Sequence, residues 1–291
     1  LVAFSPAKIN LVLAVGPPDG SGYHPVQSLI CPLTFGDRLT FERTKTGVKL
    51  ESDHPTLPLD DSNLIVRAYS AVKACCPQVG GIRVRVEKNI PIGGGLGGGS
   101  SNAATTINIL DRLYELKLSI DIKMRLGASL GADVPCFILG RAVFAGGYGQ
   151  VVTPISGGGG FWVVVGWQGR PVATKWVYER YDRYLSRGSS PEELSWGEIL
   201  VAFQGGEVHR VARVIGNHLE AAVLPELAGT AKLKEQMLAS GALNAMLCGS
   251  GESVFAIMEN KEKGERLAKR LVDGGYQAVL CQVVNQVELL A

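Results

Sequence analysis

The sequence predicts an α+β protein of two domains, and three observations carry that prediction. Residues 82–116 read as a strand, a glycine-rich loop and a helix. Ser156-Gly157-Gly158-Gly159-Gly160 marks a break, and residues 225–284 run in the order helix, strand, strand, helix, strand. That last succession suggests a ferredoxin-like half. The expected division is therefore 1–155 for an N-terminal domain holding the glycine loop and 161–291 for a ferredoxin-like C-terminal domain. At 291 residues the chain is long enough to give each its own core.

In chain order, Ile9, Leu11 and Leu13 alternate with Lys8, Asn10 and Val12 as a strand does, and further short strands are expected at 38–43 and 47–51. Asn63 to Ala74 reads as a helix capped by Asp61 or Ser62. Ile82, Val84 and Val86 alternate with Arg83, Arg85 and Glu87, the pattern of a half-buried strand. After the glycines, Ala103, Ala104, Ile107, Leu110, Leu113 and Tyr114 form one helical stripe, with Asn108, Asp111, Arg112 and Glu115 opposite. This helix is expected over 101–116, with Ser100 or Ser101 as its N-cap, and a second one near 120–130 is capped by Ser119. Beyond the break a strand begins at Phe161. A helix at 225–240, strands at 244–248 and 253–258, a helix at 261–272 and a strand at 277–284 follow.

Composition narrows the class. Hydrophobic residues at 46% and charged ones at 19% are ordinary for a folded chain and argue against disorder. A net charge of +2 is too small to imply nucleic acid or an anionic membrane as partner. The longest apolar run, Phe161 to Trp167, falls far short of the roughly 20 residues a spanning helix needs. Lys8 and Asn10 interrupt the first apolar stretch, so the start is not expected to be secretory, while an opening at Leu1 leaves room for a removed transit peptide. Cysteines at 31, 75, 76, 136, 248 and 281 form no C-x-x-C pair and are expected to be reduced thiols of a reducing compartment. The four histidines show no metal-ligand spacing, so no protein metal site is expected.

The loop Pro91 to Ala104, PIGGGLGGGSSNAA, carries the chemistry. Glycines this dense adopt φ > 0 readily and leave their N–H groups uncovered, and a helix start adds its own unpaired N–H groups and positive dipole end. Such a hollow suits phosphate. A flexible linker would not run straight into an amphipathic helix. A Walker A loop would need a lysine that this one lacks. A dinucleotide fingerprint is met by Gly93, Gly95 and Gly98, but it should begin at the strand end, whereas Lys88-Asn89-Ile90-Pro91-Ile92 intervene. A polyphosphate nucleotide is the expected ligand.

The loop resembles the second signature motif of the GHMP kinases, the family of galactokinase, homoserine kinase and mevalonate kinase. Pro91, Gly93, Gly95, Leu96, Gly97, Gly99, Ser100 and Ser101 stand in register with it. Ser5-Pro6-Ala7-Lys8-Ile9-Asn10-Leu11 is similar to the first family motif, and Leu247-Cys248-Gly249-Ser250-Gly251-Glu252-Ser253-Val254-Phe255 to the third. The resemblance spans nearly the whole chain. It implies a two-domain GHMP-kinase fold and phosphoryl transfer from ATP, with Mg²⁺, to the hydroxyl of a small molecule. Gly22-Tyr23-His24, Asp61-Ser62-Asn63-Leu64 and Gly131-Ala132-Asp133-Val134-Pro135 are most similar to members acting on a cytidine diphosphate-linked polyol in isoprenoid biosynthesis. Ser21 and Pro25 depart from that pattern, which usually has acidic residues there. A bacterial cytoplasm or a plastid stroma is the implied location. The competing readings are a sister kinase for mevalonate, homoserine or a sugar, and a catalytically silent nucleotide sensor of the same fold.

By this resemblance Lys8 and Asp133 are the catalytic pair. Phosphoryl transfer needs a carboxylate beside the acceptor hydroxyl and a cation beside the moving phosphoryl. Without the resemblance, Asp133 reads as a helix N-cap before Pro135 and Lys8 as a solvated strand lysine. The nucleotide is expected on Pro91, Ile92, Gly93, Gly94, Gly95, Leu96, Gly97, Gly98, Gly99, Ser100 and Ser101, with Asn63, Leu64 and Lys88 toward the adenine. Asn10, Tyr23, His24, Thr174 and Tyr178 are expected around the acceptor, the aromatic rings offering walls for a cytosine.

Overall fold

A computed structural model describes residues 1–288. Eleven strands form one sheet system. In the N-terminal part come β1 (Val2–Val15), β2 (Val26–Thr44), β3 (Val48–Ser52), α1 (Leu64–Cys75), β4 (Gly81–Glu87), α2 (Gly98–Leu113), α3 (Ile120–Leu130), α4 (Val134–Leu139), β5 (Val143–Gly146) and β6 (Val151–Pro154). The remainder is β7 (Phe161–Trp167), α5 (Thr174–Ser186), α6 (Trp196–Gly205), α7 (Val208–Val214), β8 (Gly216–Asn217), α8 (Glu220–Val223), α9 (Ala228–Ala239), β9 (Asn244–Leu247), β10 (Val254–Met258), α10 (Lys261–Asp273) and β11 (Gln277–Val283).

The strand order β3-β4-β2-β11-β7-β10-β9 places the long β2 at the centre of the N-terminal sheet, antiparallel to β1 along its length. Strands β11, β7, β10 and β9 are mutually antiparallel in that order, with α9 and α10 as the crossovers. This is the ferredoxin-like arrangement expected of the tail. A bridge from Val283 to Leu33 joins the two parts of the sheet. Both faces of β7 are covered, which explains its unbroken apolar run. Leu233, Met237, Leu267 and Leu271 pack with Val164 on one face, and Ile199, Phe203 and Val211 with Val163 and Val165 on the other.

The stripe of α2 is buried as its spacing requires. Ala103, Ala104, Ile107 and Leu110 pack against Leu39, Phe41, Val84 and Val86, each large aliphatic contributing about 1.5–3 kcal/mol by leaving water. Two capping expectations are corrected. Asn63, not Asp61 or Ser62, caps α1, its Oδ1 accepting from the Ile65 amide at 2.9 Å. Helix α2 begins at Gly98 rather than 101, with Gly97 as N-cap at φ 72° and no side chain capping it. The left-handed turn at a glycine starts the helix earlier than a serine cap would, and it leaves the first-turn amides bare. Ser119 does cap α3. The hairpin β5–β6 and the helices α5 to α8 lie in stretches the sequence reading leaves unassigned. Among the described residues no helix is long and apolar enough to cross a membrane.

Candidate active site

Two breaks in the β1–β2 register, between Pro6 and Lys8 and between Asn10 and Val12, bracket the lysine and the asparagine. Such irregularities re-aim side chains. The Lys8 amide turns to the Leu96 carbonyl at 3.0 Å, so this strand residue and the glycine loop share a main-chain hydrogen bond. The Lys8 side chain is buried, and its Nζ donates to Asn10 Oδ1 at 2.6 Å. Asn10 Nδ2 donates in turn to Ser28 Oγ at 2.7 Å, and Ser28 to the Val12 carbonyl. The two residues do leave one strand face, as their spacing predicts, and Asn10 orients the ammonium.

Opposite stands Asp133, whose Oδ2 lies 3.9 Å from Lys8 Nζ. It occupies the N-cap position of α4, yet its side chain makes no capping hydrogen bond. Pro135 removes a first-turn donor, so the carboxylate is not engaged in capping and faces the cavity with 39% of its side chain exposed.

The glycine loop closes the site from another side. Gly93, Gly95 and Gly97 all have φ between 72° and 80°. The amides from Gly95 to Ser100 find no acceptor within the described protein, and the start of α2 points its dipole into the same hollow. A Cβ at Gly95 would overlap the Cys248 carbonyl, and one at Gly251 would overlap Gly94 and Gly95. The loop and the 249–251 turn thus meet backbone to backbone, an approach only glycines permit. Asn217 Nδ2 holds that turn by the Gly249 carbonyl at 2.9 Å.

Beneath the loop lies a buried network. Asp37 accepts from Lys88 Nζ at 2.5 Å, from the Asn89 and Ile90 amides at 2.8 Å and from Asn102 Nδ2 at 3.0 Å. Burial pushes the Lys88 ammonium down, and Asp37 opposes that shift. Lys88 sits under Gly98 at the start of α2 with its ammonium bound to Asp37, and lines the same hollow as the glycine loop. One expectation changes here. Ser101 does not face the hollow: its hydroxyl is fully buried at 2.7 Å from Ser5 Oγ, and its amide bonds to the Gly97 carbonyl. Ser100 remains at the cavity.

Three adjoining cavities result. One of about 400 Å³ is lined by Pro91 to Ser100 together with Leu57, Pro58, Asn63, Leu64 and Lys88. Asn63 reaches it from a cap position, with its Nδ2 already bonded to the Pro58 carbonyl at 2.6 Å. The second, of about 310 Å³, shares Lys8, Ser100, Asp133, Thr174 and Ser250 with the first and adds Asn10, Ser28, Tyr148 and Tyr178. A third, of about 510 Å³, shares Tyr148, Thr174 and Tyr178 with the second and is walled by Tyr23, His24 and Asp182.

Thr174 opens α5 with its Oγ1 3.1 Å from Ser250 Oγ, and Tyr178 follows one turn later. Burial, then the nearby Asp133 charge, push the Tyr178 hydroxyl up to about 12, so it stays protonated as a donor. His24 is buried with its ring 4.9 Å from that of Tyr178, while Tyr23 is mostly exposed and leans on Tyr148 at 5.8 Å. Ser21 donates its amide and hydroxyl to Asp19, which also accepts from the Tyr148 hydroxyl. Tyr148 and Asp182 were not legible as site residues. Tyr148 sits between Gly147 and Gly149 with no motif around it, whereas Asp182 completes an i, i+4, i+8 row with Thr174 and Tyr178 that helical spacing could have exposed.

Residues 63–141 match the GHMP kinases N terminal domain and residues 199–277 the GHMP kinases C terminal domain. A 4-diphosphocytidyl-2-C-methyl-D-erythritol kinase of Thermosynechococcus vestitus is 35% identical over 280 residues, covering 92% of this chain and 90% of its own. This chain belongs to the GHMP kinase family. Another relative of the same name, from Symbiobacterium thermophilum, is 36% identical over 265 residues, 91% of this GHMP kinase and 93% of that protein. A crystal structure of 4-(cytidine 5'-diphospho)-2C-methyl-D-erythritol kinase superposes with a TM-score of 0.83 at 31% identity over 98% of this kinase and 99% of that one. Homoserine kinase from Cytophaga hutchinsonii, at 18% identity and a TM-score of 0.73 over 98% and 95%, shares the fold.

Proposed function

We propose that this chain transfers the γ-phosphoryl group of ATP to the 2-hydroxyl of 4-diphosphocytidyl-2-C-methyl-D-erythritol. The observation that carries the reading is that a cavity of bare amides and a cavity of aromatic rings are joined through a middle cavity that holds Lys8 and Asp133. Relatives at this identity and coverage bear the name of that kinase.

In this reading the amides from Gly95 to Ser100 hold the triphosphate, and the apolar rim of Leu57, Pro58, Leu64 and Ile92 receives the purine. The cytidine lies among Tyr23, His24 and Tyr178, and the polyol crosses the junction past Thr174 and Tyr148. Asp133 orients the acceptor hydroxyl and accepts its proton as the new O–P bond forms, while Lys8 neutralises charge on the moving phosphoryl. Mg²⁺ supplies further charge neutralisation when bound. The Ser100 hydroxyl, which lines both the amide cavity and the middle one, is the side chain that would hold it there. We assign residues 1–155 to the nucleotide half and 161–291 to the other.

A coupled ADP-release assay across acceptors tests this directly. The cytidine diphosphate-linked methylerythritol should be turned over, and mevalonate, homoserine and hexoses should not. Preferential turnover of any of those three would displace the assignment, and no turnover with any acceptor would favour a silent sensor.

A further inference from the structure

We propose that Asp182 is a positioning residue that makes the site select cytosine over uracil, by fixing which nitrogen of His24 carries the hydrogen. The proposal rests on the reading of the aromatic cavity as a cytidine site and goes beyond it to the discrimination of the base.

His24 has a side chain only 4% exposed, and its Nε2 lies 2.8 Å from Asp182 Oδ1. The ring cannot swing away. Tyr178 lies against it at 4.9 Å, and Tyr181 meets it edge-on at 6.0 Å, itself anchored by its hydroxyl on the Val15 carbonyl at 2.7 Å. Pro25 holds the backbone of His24 extended from the other side. A carboxylate accepts and never donates, so in the neutral imidazole Nε2 bears the hydrogen and Nδ1 presents a lone pair.

That second nitrogen is left for a ligand. Among the described residues Nδ1 has no hydrogen-bond partner, and it is not one of the sealed, unpartnered buried atoms, which are Arg141 Nε and Ser253 Oγ alone. It is therefore open to the cavity that His24 and Asp182 both line. Cytosine and uracil differ at ring position 4, an amino group in one and a carbonyl in the other. A lone pair on Nδ1 accepts from the amino group and opposes the carbonyl. A site built this way rejects the wrong base because a buried polar group is then left unpaired. The helix supplies the geometry, since Tyr178 and Asp182 are one turn apart on α5 and address the same ring.

The Asp182→Asn variant tests the idea with little change of shape. Its amide can rotate to donate to Nε2, which moves the hydrogen to Nδ1 and makes that atom a donor. Calorimetric titration with CDP and with UDP should show wild-type protein preferring CDP and the variant losing at least tenfold of that preference. The KM for the cytidine substrate should rise, while kcat at saturation and the KM for ATP stay within about twofold, a split that general loosening would not produce. Asp182→Glu keeps an acceptor-only group and should retain the preference. Asp182→Ala removes the acceptor and should lose it, which secures the test if the asparagine variant does not fold. Full retention of CDP preference in both Asp182→Asn and Asp182→Ala would overturn the role of Asp182 while leaving the cytidine site standing, since an asparagine that kept the preference by turning its Oδ1 to Nε2 would still leave the alanine variant without it. A wild-type protein that binds neither CDP nor UDP would overturn the cytidine reading, and this proposal with it.

Discussion

Asp133→Asn should lower kcat by about 10²–10⁴-fold while leaving the KM for ATP nearly unchanged, the magnitude being that of a positioned proton acceptor. The asparagine keeps the shape and the N-cap position. Because the Asp133 side chain makes no capping hydrogen bond, the change removes only a weak charge–dipole attraction at the helix start, and the unfolding midpoint should stay close to wild type. What disappears is the acceptor for the hydroxyl proton and the charge facing Lys8 at 3.9 Å. Single-turnover phosphoryl transfer is the measurement of choice, since it separates chemistry from product release. Near-normal transfer would remove Asp133 from the reaction.

Lys8→Met should be the second most damaging change, lowering kcat by about 10²–10³-fold, as loss of one preorganised group that stabilises transition-state charge does. Methionine fills most of the lysine's space, so packing against the loop is kept. The main-chain bond from residue 8 to the Leu96 carbonyl does not depend on the side chain, so the loop should keep its place and bind ATP analogues almost normally. Asn10 Oδ1 loses its donor, which predicts a modest fall in stability of about 1–3 kcal/mol for an unpaired buried acceptor. A defect confined to nucleotide affinity would mean that Lys8 holds ground-state phosphates and takes no part in transfer.

How much of this was legible in the sequence depended on whether the deciding interactions were local. The α2 stripe, the β4 alternation and the Ser119 cap are set by neighbours within one helical turn or one strand pair, and the structure reproduces them. The sequence places the start of α2 too late because serine is a good cap in general, while here a left-handed glycine begins the helix and leaves its amides free. Lys8 and Asn10 were placed correctly by strand period, but the register breaks that turn the Lys8 amide to the loop have no sequence signature. Ser101 reads as equivalent to Ser100, and only the approach of Ser5 on β1 decides that one hydroxyl is buried and the other is not. Asp37 and Lys88 are 51 positions apart, and their buried pairing depends wholly on the β2–β4 ladder. Contacts of that range, not residue identities, supply the unpredicted half of the site.

The most direct measurement is a crystal structure of the chain with a non-hydrolysable ATP analogue and CDP bound together. The account predicts phosphates along the amides from Gly95 to Ser100, the terminal phosphoryl beside Lys8, and the cytosine against His24 and Tyr178 with Asp133 in the gap between the ligands. Triphosphate bound outside the glycine loop, or a terminal phosphoryl directed away from Asp133, would contradict it.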